Sequence, residues 1–210
     1  MKTNINYSLY LVTDRDVLVD IDIYNAVEEA IKGGVTVVQL REKSLGTLGF
    51  YNIAIKMKDI TDKYNVPLII NDRIDIAQAI DAAGVHLGQN DMPAGIARRI
   101  MGNNKIVGVS TSTLEQAQKA EAQGADYVGV GAMFKTTTKE DAKAVSINCL
   151  MEIKKGISIP VVAIGGISEK NINLLKVANI DGIAVVSDIL SKKSVKNAAE
   201  KLGALFKIER

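Results

Sequence analysis

The run Gln39-Leu40-Arg41-Glu42-Lys43 follows directly on Thr36-Val37-Val38, so a hydrophobic strand delivers an amide and two cations to one place. In an extended chain alternate side chains share a face, which lets Gln39, Arg41 and Lys43 converge while Leu40 turns away. The planar fork of Arg and the point charge of Lys suit a phosphate group. The competing reading is a solvated strand end whose cations pair with Glu42. A second chemistry comes from Asp72 and Asp91, carboxylates expected at adjacent strand ends and able there to share one cation. Mg²⁺ typically takes one or two protein carboxylates and completes its shell with water and phosphate oxygens. The alternative for both acids is helix capping, for which Asp91 before Met92-Pro93 is well placed.

Three further stretches carry polar chemistry. Gly165-Gly166-Ile167-Ser168, after the apolar run Pro160–Ile164, lets backbone amides approach an anion, with Val186-Ser187 as a second wall. Thr136-Thr137-Thr138-Lys139 lies on a loop of roughly ten residues, a length that suggests a lid or binding segment. Its alternative is a solvated surface loop. His86, the one histidine, sits in an apolar strand run and reads as a packed core imidazole. With one His and one Cys, Cys149, the chain cannot assemble a zinc site or a Ser-His-Asp triad.

Short apolar runs alternate with segments of helical period along the whole chain. Strands are expected at Leu9–Val12, Val35–Leu40, Pro67–Ile70, Gly84–Leu87, Ile106–Val109, Tyr127–Val130, Val161–Ile164 and Ile183–Val186. Helices are expected near 22–33, 47–64, 73–80, 93–101, 113–123, 146–155, 168–177 and 191–206. Continuous Val/Ile runs suit strands covered on both faces, as in a parallel sheet. About eight strand-helix units predict an α/β protein, a single-domain (β/α)8 TIM barrel over residues 1–210, with a doubly wound open sheet as competitor. Internal resemblance favours the barrel: Gly34, Gly84, Gly124 and Gly182 each precede a buried strand, and they are spread through the chain rather than confined to one half. In a barrel the loops after the strands form one active face. Gln39 falls at the end of the second strand, and Arg41, Lys43, Asn71, Asp72, Asp91, Ser110, Thr136, Gly166 and Ser187 fall just after strands.

Net charge of only +2, with no long basic run, argues against nucleic acid and against a membrane surface as partner. Residues 1–4 do not open an apolar leader, and no apolar run approaches the ~20 residues needed to span a bilayer. The expectation is a soluble cytoplasmic protein acting on small phosphorylated molecules, with a homo-oligomer left open.

The motifs occur together and in order. Tyr10-Leu11-Val12-Thr13-Asp14-Arg15, Val38-Gln39-Leu40-Arg41-Glu42-Lys43, Ile70-Asn71-Asp72-Arg73, Gly84-Val85-His86-Leu87-Gly88-Gln89, Gly108-Val109-Ser110-Thr111, Gly124 to Gly131, Thr136 to Lys139, Val162 to Ile167 and Val185-Val186-Ser187 closely resemble the thiamine-phosphate synthase family over nearly the whole chain. The resemblance implies a TIM-barrel transferase that condenses a hydroxymethylpyrimidine diphosphate with a hydroxyethylthiazole phosphate, or its carboxylated form, to thiamine phosphate. The resemblance also implies that pyrophosphate is released with Mg²⁺ assistance. It further implies that Gln39, Arg41, Lys43, Asn71, Ser110 and Lys139 hold the pyrimidine diphosphate, with Arg41, Lys43, Lys139 and Ser110 catalytic. Asp72 and Asp91 would bind the metal, and Thr136, Thr137, Thr138, Gly166, Val186 and Ser187 the thiazole phosphate. In the family the pyrophosphate leaves first and the thiazole nitrogen captures a pyrimidine methyl cation. Two departures stand out: Ser112 where many relatives, including thiazole tautomerases, carry His, and Lys135 where Pro is expected after Phe134. Ser112 favours a synthase over a tautomerase, and the full acidic and basic set disfavours a silent phosphate-binding barrel.

Overall fold

A computed structural model describes residues 5–136 and 144–206. Eight parallel strands close into a barrel in sequence order: β1 Leu9–Val12, β2 Val37–Leu40, β3 Leu68–Asn71, β4 Gly84–Leu87, β5 Ile106–Thr111, β6 Tyr127–Val130, β7 Val161–Ile164 and β8 Gly182–Val185. β8 returns to β1, with Leu9 opposite Ile183 and Leu11 opposite Val185. The closure excludes the open sheet.

The strands are apolar on both faces because each face meets its own core. Leu9, Leu11, Val38, Leu40, Ile70, Val85, Val107 and Val128 pack outward in one cluster with the helices. Tyr10, Val12, Val37, Ile69, Ile106, Tyr127, Val162 and Ala184 fill the barrel's interior in a separate cluster. Period-2 alternation thus survives in a chain that reads as continuous hydrophobic runs. Interior glycines make room for the large rings. A Cβ on Gly108 would stand 2.2 Å from Tyr127 Cζ.

The outer ring comprises α1 Ile23–Lys32, α2 Thr47–Lys63, α3 Ile74–Ala79, α4 Ala94–Met101, α5 Leu114–Ala122, α6 Ile147–Gly156, α7 Ser187–Leu190 and α8 Val195–Leu205. Asp22, Thr113, Ser146 and Ser194 cap α1, α5, α6 and α8 by accepting from backbone amides, each contributing about 1 kcal/mol.

Two helices depart from expectation. The segment expected at 168–177 is a 3-10 helix, Ile172–Ala178. The Asn171 side chain starts it late by donating to the Gly166 carbonyl at 2.8 Å and accepting from the Ser168 amide at 2.9 Å. The 3-10 form also covers more length per residue, about 2.0 against 1.5 Å. The helix expected at 191–206 begins later, at Val195, where Ser194 caps α8, and a short helix that was not expected, α7, follows β8 directly. β3 and β5 run further than expected, so Asn71 and Ser110 lie on strands rather than in loops.

No helix among the described residues is long and apolar enough to cross a membrane.

Candidate active site

The ends of β1 to β3 hold the cationic wall. Arg41 follows β2 and is pinned at its backbone by Thr13, whose Oγ1 accepts from the Arg41 amide at 3.0 Å. Its guanidinium lies 3.3 Å from Asp14 Oδ2. Glu42 does not pair with Arg41 or Lys43. It faces Arg15 in a two-point contact, Nη2 to Oε2 at 2.9 Å and Nε to Oε1 at 2.8 Å. The Glu42 partner that the solvated-strand-end reading expected for these cations is taken up by Arg15, and Arg41 pairs with Asp14 instead. Lys43 is exposed, and its charge acts on Asp72.

Asp72 and Asp91 meet. Burial raises the Asp72 carboxyl from the usual carboxylate range to about 6, the hydrogen bond to Asp91 and its charge add to the rise, and Lys43 and Asn71 oppose it. Neither acid is a helix cap. Pro93 stands at the N-cap of α4 and Arg73 at that of α3, and neither helix start has a side-chain cap. Asp91 instead accepts from the Gly88 amide at 2.6 Å, folding the loop after β4 back on itself. Asp72 sits in the left-handed region, φ +61, a conformation Asp tolerates better than most residues, and its amide is tied to the His86 carbonyl at 2.8 Å. Held this way, the two acids crowd negative charge that a cation would relieve. Among the described residues no group of three or more His, Cys, Asp or Glu comes together, so a metal here would lean on two carboxylates and on substrate oxygens. That donor set fits Mg²⁺.

A buried polar chain crosses the barrel beneath this rim. Gln39 Nε2 donates to Tyr10 Oη at 2.9 Å, and the Tyr10 and Tyr127 hydroxyls are 2.7 Å apart. Tyr127 Oη lies 2.9 Å from His86 Nδ1, and His86 Nε2 lies 2.9 Å from Ser110 Oγ. His86 is buried as expected, yet it is bonded through both ring nitrogens rather than simply packed. Tyr10 and Tyr127 escaped the sequence reading because an aromatic in an apolar strand reads as core. The one available signal was the pairing of a large ring at Tyr127 with Gly108, its neighbour across the β5–β6 ladder.

On the far side, β7 and β8 end side by side, Ile164 opposite Ala184. Gly165 and Gly166 leave β7 with φ +101 and +63, and a Cβ at Gly166 would stand 2.5 Å from the Lys135 carbonyl oxygen. This close approach binds the loop after β6 to the loop after β7, with the Phe134 amide donating to the Gly165 carbonyl at 3.0 Å. No described residue accepts from the amides of Gly166 or Ser187. Val186 is the N-cap of α7 and Ser187 its first residue. Thr136 ends the described part of the loop, and Thr137, Thr138 and Lys139 lie outside the described residues. Ser112 is engaged locally: its amide and hydroxyl both donate to Gln116 Oε1, at 2.8 and 3.1 Å.

Gln39, Arg41, Lys43, Asn71, Asp72, Asp91, Ser110, Gly166 and Ser187 thus occupy the C-terminal ends of six strands around a single mouth. A family model described as Thiamine monophosphate synthase matches residues 9–189. Thiamine-phosphate synthase of Clostridium tetani is 57% identical over 203 residues, 97% of each chain. That of Ruminiclostridium cellulolyticum is 58% identical over 206 residues, 98% of each chain. The solved structure of thiamine phosphate pyrophosphorylase from Pyrococcus furiosus superposes with a TM-score of 0.88 at 38% identity, covering 96% of both chains. The (S)-3-O-geranylgeranylglyceryl phosphate synthase from Thermoplasma acidophilum, at 16% identity and TM-score 0.68, shares the fold alone. By full-length similarity at this level, the chain belongs to the thiamine monophosphate synthase family of enzymes.

Proposed function

We propose that the protein condenses hydroxymethylpyrimidine diphosphate with hydroxyethylthiazole phosphate to thiamine phosphate and pyrophosphate. The observation that carries this reading is the meeting of Asp72 and Asp91 at the same strand-end rim as Arg41 and Lys43. Two acids beside two cations suit a metal-assisted diphosphate, whereas a simple phosphate site would need only the cations. Relatives over half identical along the whole length carry the synthase name, which supports the same assignment.

In this reading Gln39, Asn71 and Ser110 orient the pyrimidine, and Arg41, Lys43 and Lys139 hold its diphosphate. The bond between the pyrimidine methylene and the diphosphate oxygen breaks heterolytically, and the oxygen keeps the electron pair. The thiazole nitrogen then gives its lone pair to the methylene cation. A magnesium ion held by Asp72 and Asp91 would supply further neutralising charge to the leaving diphosphate. Positive charge fixed before the reaction favours the state in which that negative charge develops, and no protein nucleophile is required. The amides of Gly166 and Ser187, with Thr136, Thr137, Thr138 and Val186, hold the thiazole phosphate. Ser112 offers no proton-transfer group, and its hydroxyl is engaged with Gln116, which disfavours thiazole isomerisation.

A mass-resolved product assay with both substrates and Mg²⁺ tests the proposal. Thiamine phosphate and pyrophosphate formed only when both substrates are present supports it, and isomerisation of thiazole phosphate alone overturns it.

A further inference from the structure

The chain Gln39–Tyr10–Tyr127–His86–Ser110 is four hydrogen bonds long, and each bond needs one proton. The Gln39 amide nitrogen can only give, so Tyr10 Oη accepts from it. Tyr10 has a single proton, and among the described residues its hydroxyl meets only Gln39 and Tyr127, so it donates to Tyr127. Tyr127 passes its own proton to His86 Nδ1. A neutral imidazole then carries its hydrogen on Nε2 and donates to Ser110 Oγ. Along the chain each bond then has its proton, and the Ser110 hydroxyl proton remains at the far end.

The opposite polarity fails at Tyr10. If Nδ1 carried the proton, Tyr127 would donate to Tyr10, and Tyr10, wholly buried, would hold a proton without an acceptor. An imidazolium strands one tyrosine proton in the same way. A buried donor left unpaired biases such an equilibrium roughly tenfold or more. Burial pushes the Tyr10 and Tyr127 hydroxyls far above their usual range, so both keep their protons at neutral pH. The arrangement is also built for these rings, since a Cβ on Gly129 would stand 3.2 Å from His86 Cε1 and one on Gly108 would enter the Tyr127 ring.

We propose that this chain locks His86 as its Nε2–H tautomer and so fixes Ser110 as a hydrogen-bond donor, and the Gln39 carbonyl as an acceptor, towards the ligand. Tyr10, Tyr127 and His86 are positioning residues. No described residue donates to Gln39 Oε1. A ligand that reaches both ends therefore offers an amine-type donor to Gln39 and an acceptor, ring nitrogen or phosphate oxygen, to Ser110. An aminopyrimidine diphosphate carries both, and this last step rests on the synthase reading, whereas the tautomer does not.

With one histidine in the chain, nitrogen-15 two-bond correlation spectra of the labelled, ligand-free protein at neutral pH read His86 without ambiguity. The expected spectrum has a protonated, pyrrole-type Nε2 and a bare, pyridine-type Nδ1. Tyr127→Phe removes the proton that Nδ1 accepts, so the Nε2–H share falls, and KM for the pyrimidine diphosphate rises about tenfold, the scale of one hydrogen bond. An Nδ1–H tautomer or an imidazolium in the wild-type protein overturns the proposal. Unmoved ring-nitrogen shifts in a Tyr127→Phe protein whose circular dichroism is native overturn it too. Should that variant not fold, the wild-type spectrum decides alone. Failure of the synthase reading would show as missing condensation with the His86 spectrum intact.

Discussion

Replacing Asp72 by Asn should make the metal-free protein more stable while abolishing its activity. The carboxyl of Asp72 is raised to about 6 by burial first and by its contact with Asp91 second. An acid whose folded pKa lies above its unfolded value is destabilising once ionised. The cost is absent below the unfolded value of 3.8, grows as pH climbs towards about 6 and is complete above it. A shift of about two pH units corresponds to about 3 kcal/mol for a fully enclosed group, and because Asp72 is only partly enclosed, solvent screening reduces this to about 1 kcal/mol. Asn fits the left-handed backbone at this position as well as Asp does, and its amide can donate to Asp91. Asp72→Asn should therefore raise Tm by about 2–4 °C at neutral pH in a chain of this size and leave it unchanged near about pH 4. Adding Mg²⁺ should stabilise the wild-type protein at neutral pH and leave the variant unmoved, since binding to the native state alone raises stability by mass action. Thermal unfolding at both pH values, with and without Mg²⁺, is the assay. A lower Tm for the metal-free variant at neutral pH, or an equal Mg²⁺ response in the two proteins, would refute the reasoning.

Arg41→Ala should lower turnover at least about 100-fold, the scale of one preorganised electrostatic contact, and steady-state pyrophosphate release near the wild-type rate would remove Arg41 from the site. Gly108→Ala places a methyl 2.2 Å from Tyr127 Cζ and should cost about 1–3 kcal/mol of overpacking; urea unfolding at an unchanged midpoint would contradict that close fit. At the opposite mouth, Arg98 pairs with Asp126 and donates to the carbonyls of Gly124, Gly102 and Lys105. Arg98→Ala should cost about 1–3 kcal/mol, the scale of leaving part-buried acceptors without their donor, while turnover per folded molecule stays native; a specific loss of turnover would show that the two mouths are coupled.

The barrel was legible because its signal repeats. Each strand announces itself by a Val/Ile run, and glycines before four of them mark the same junction. Strand ends slipped by one or two residues, and that slip matters at Asn71 and Ser110, which gain a rigid ladder in place of a loop. Charge partners were not legible. Glu42 lies next in sequence to Arg41, but the strand's alternation sends it to Arg15, which only the β1–β2 pairing brings near. The same holds for the polar chain: Tyr10, Tyr127 and His86 come from three strands, and each alone is an aromatic or imidazole in an apolar run. Capping stood as the alternative for Asp91 because Asp before Met-Pro has that form, whereas the loop after β4 turns it towards the Gly88 amide instead. Local pattern found the elements, and pairing across the barrel decided what the polar residues do.

Two acids and a cationic wall gathered around a departing diphosphate are what the chemistry requires of this rim. A crystal structure with Mg²⁺ and pyrophosphate bound tests this most directly. The expected result is a metal ion ligated by Asp72 and Asp91, with the diphosphate against Arg41 and Lys43. A diphosphate seated away from Arg41, or a metal that touches neither acid, would contradict it.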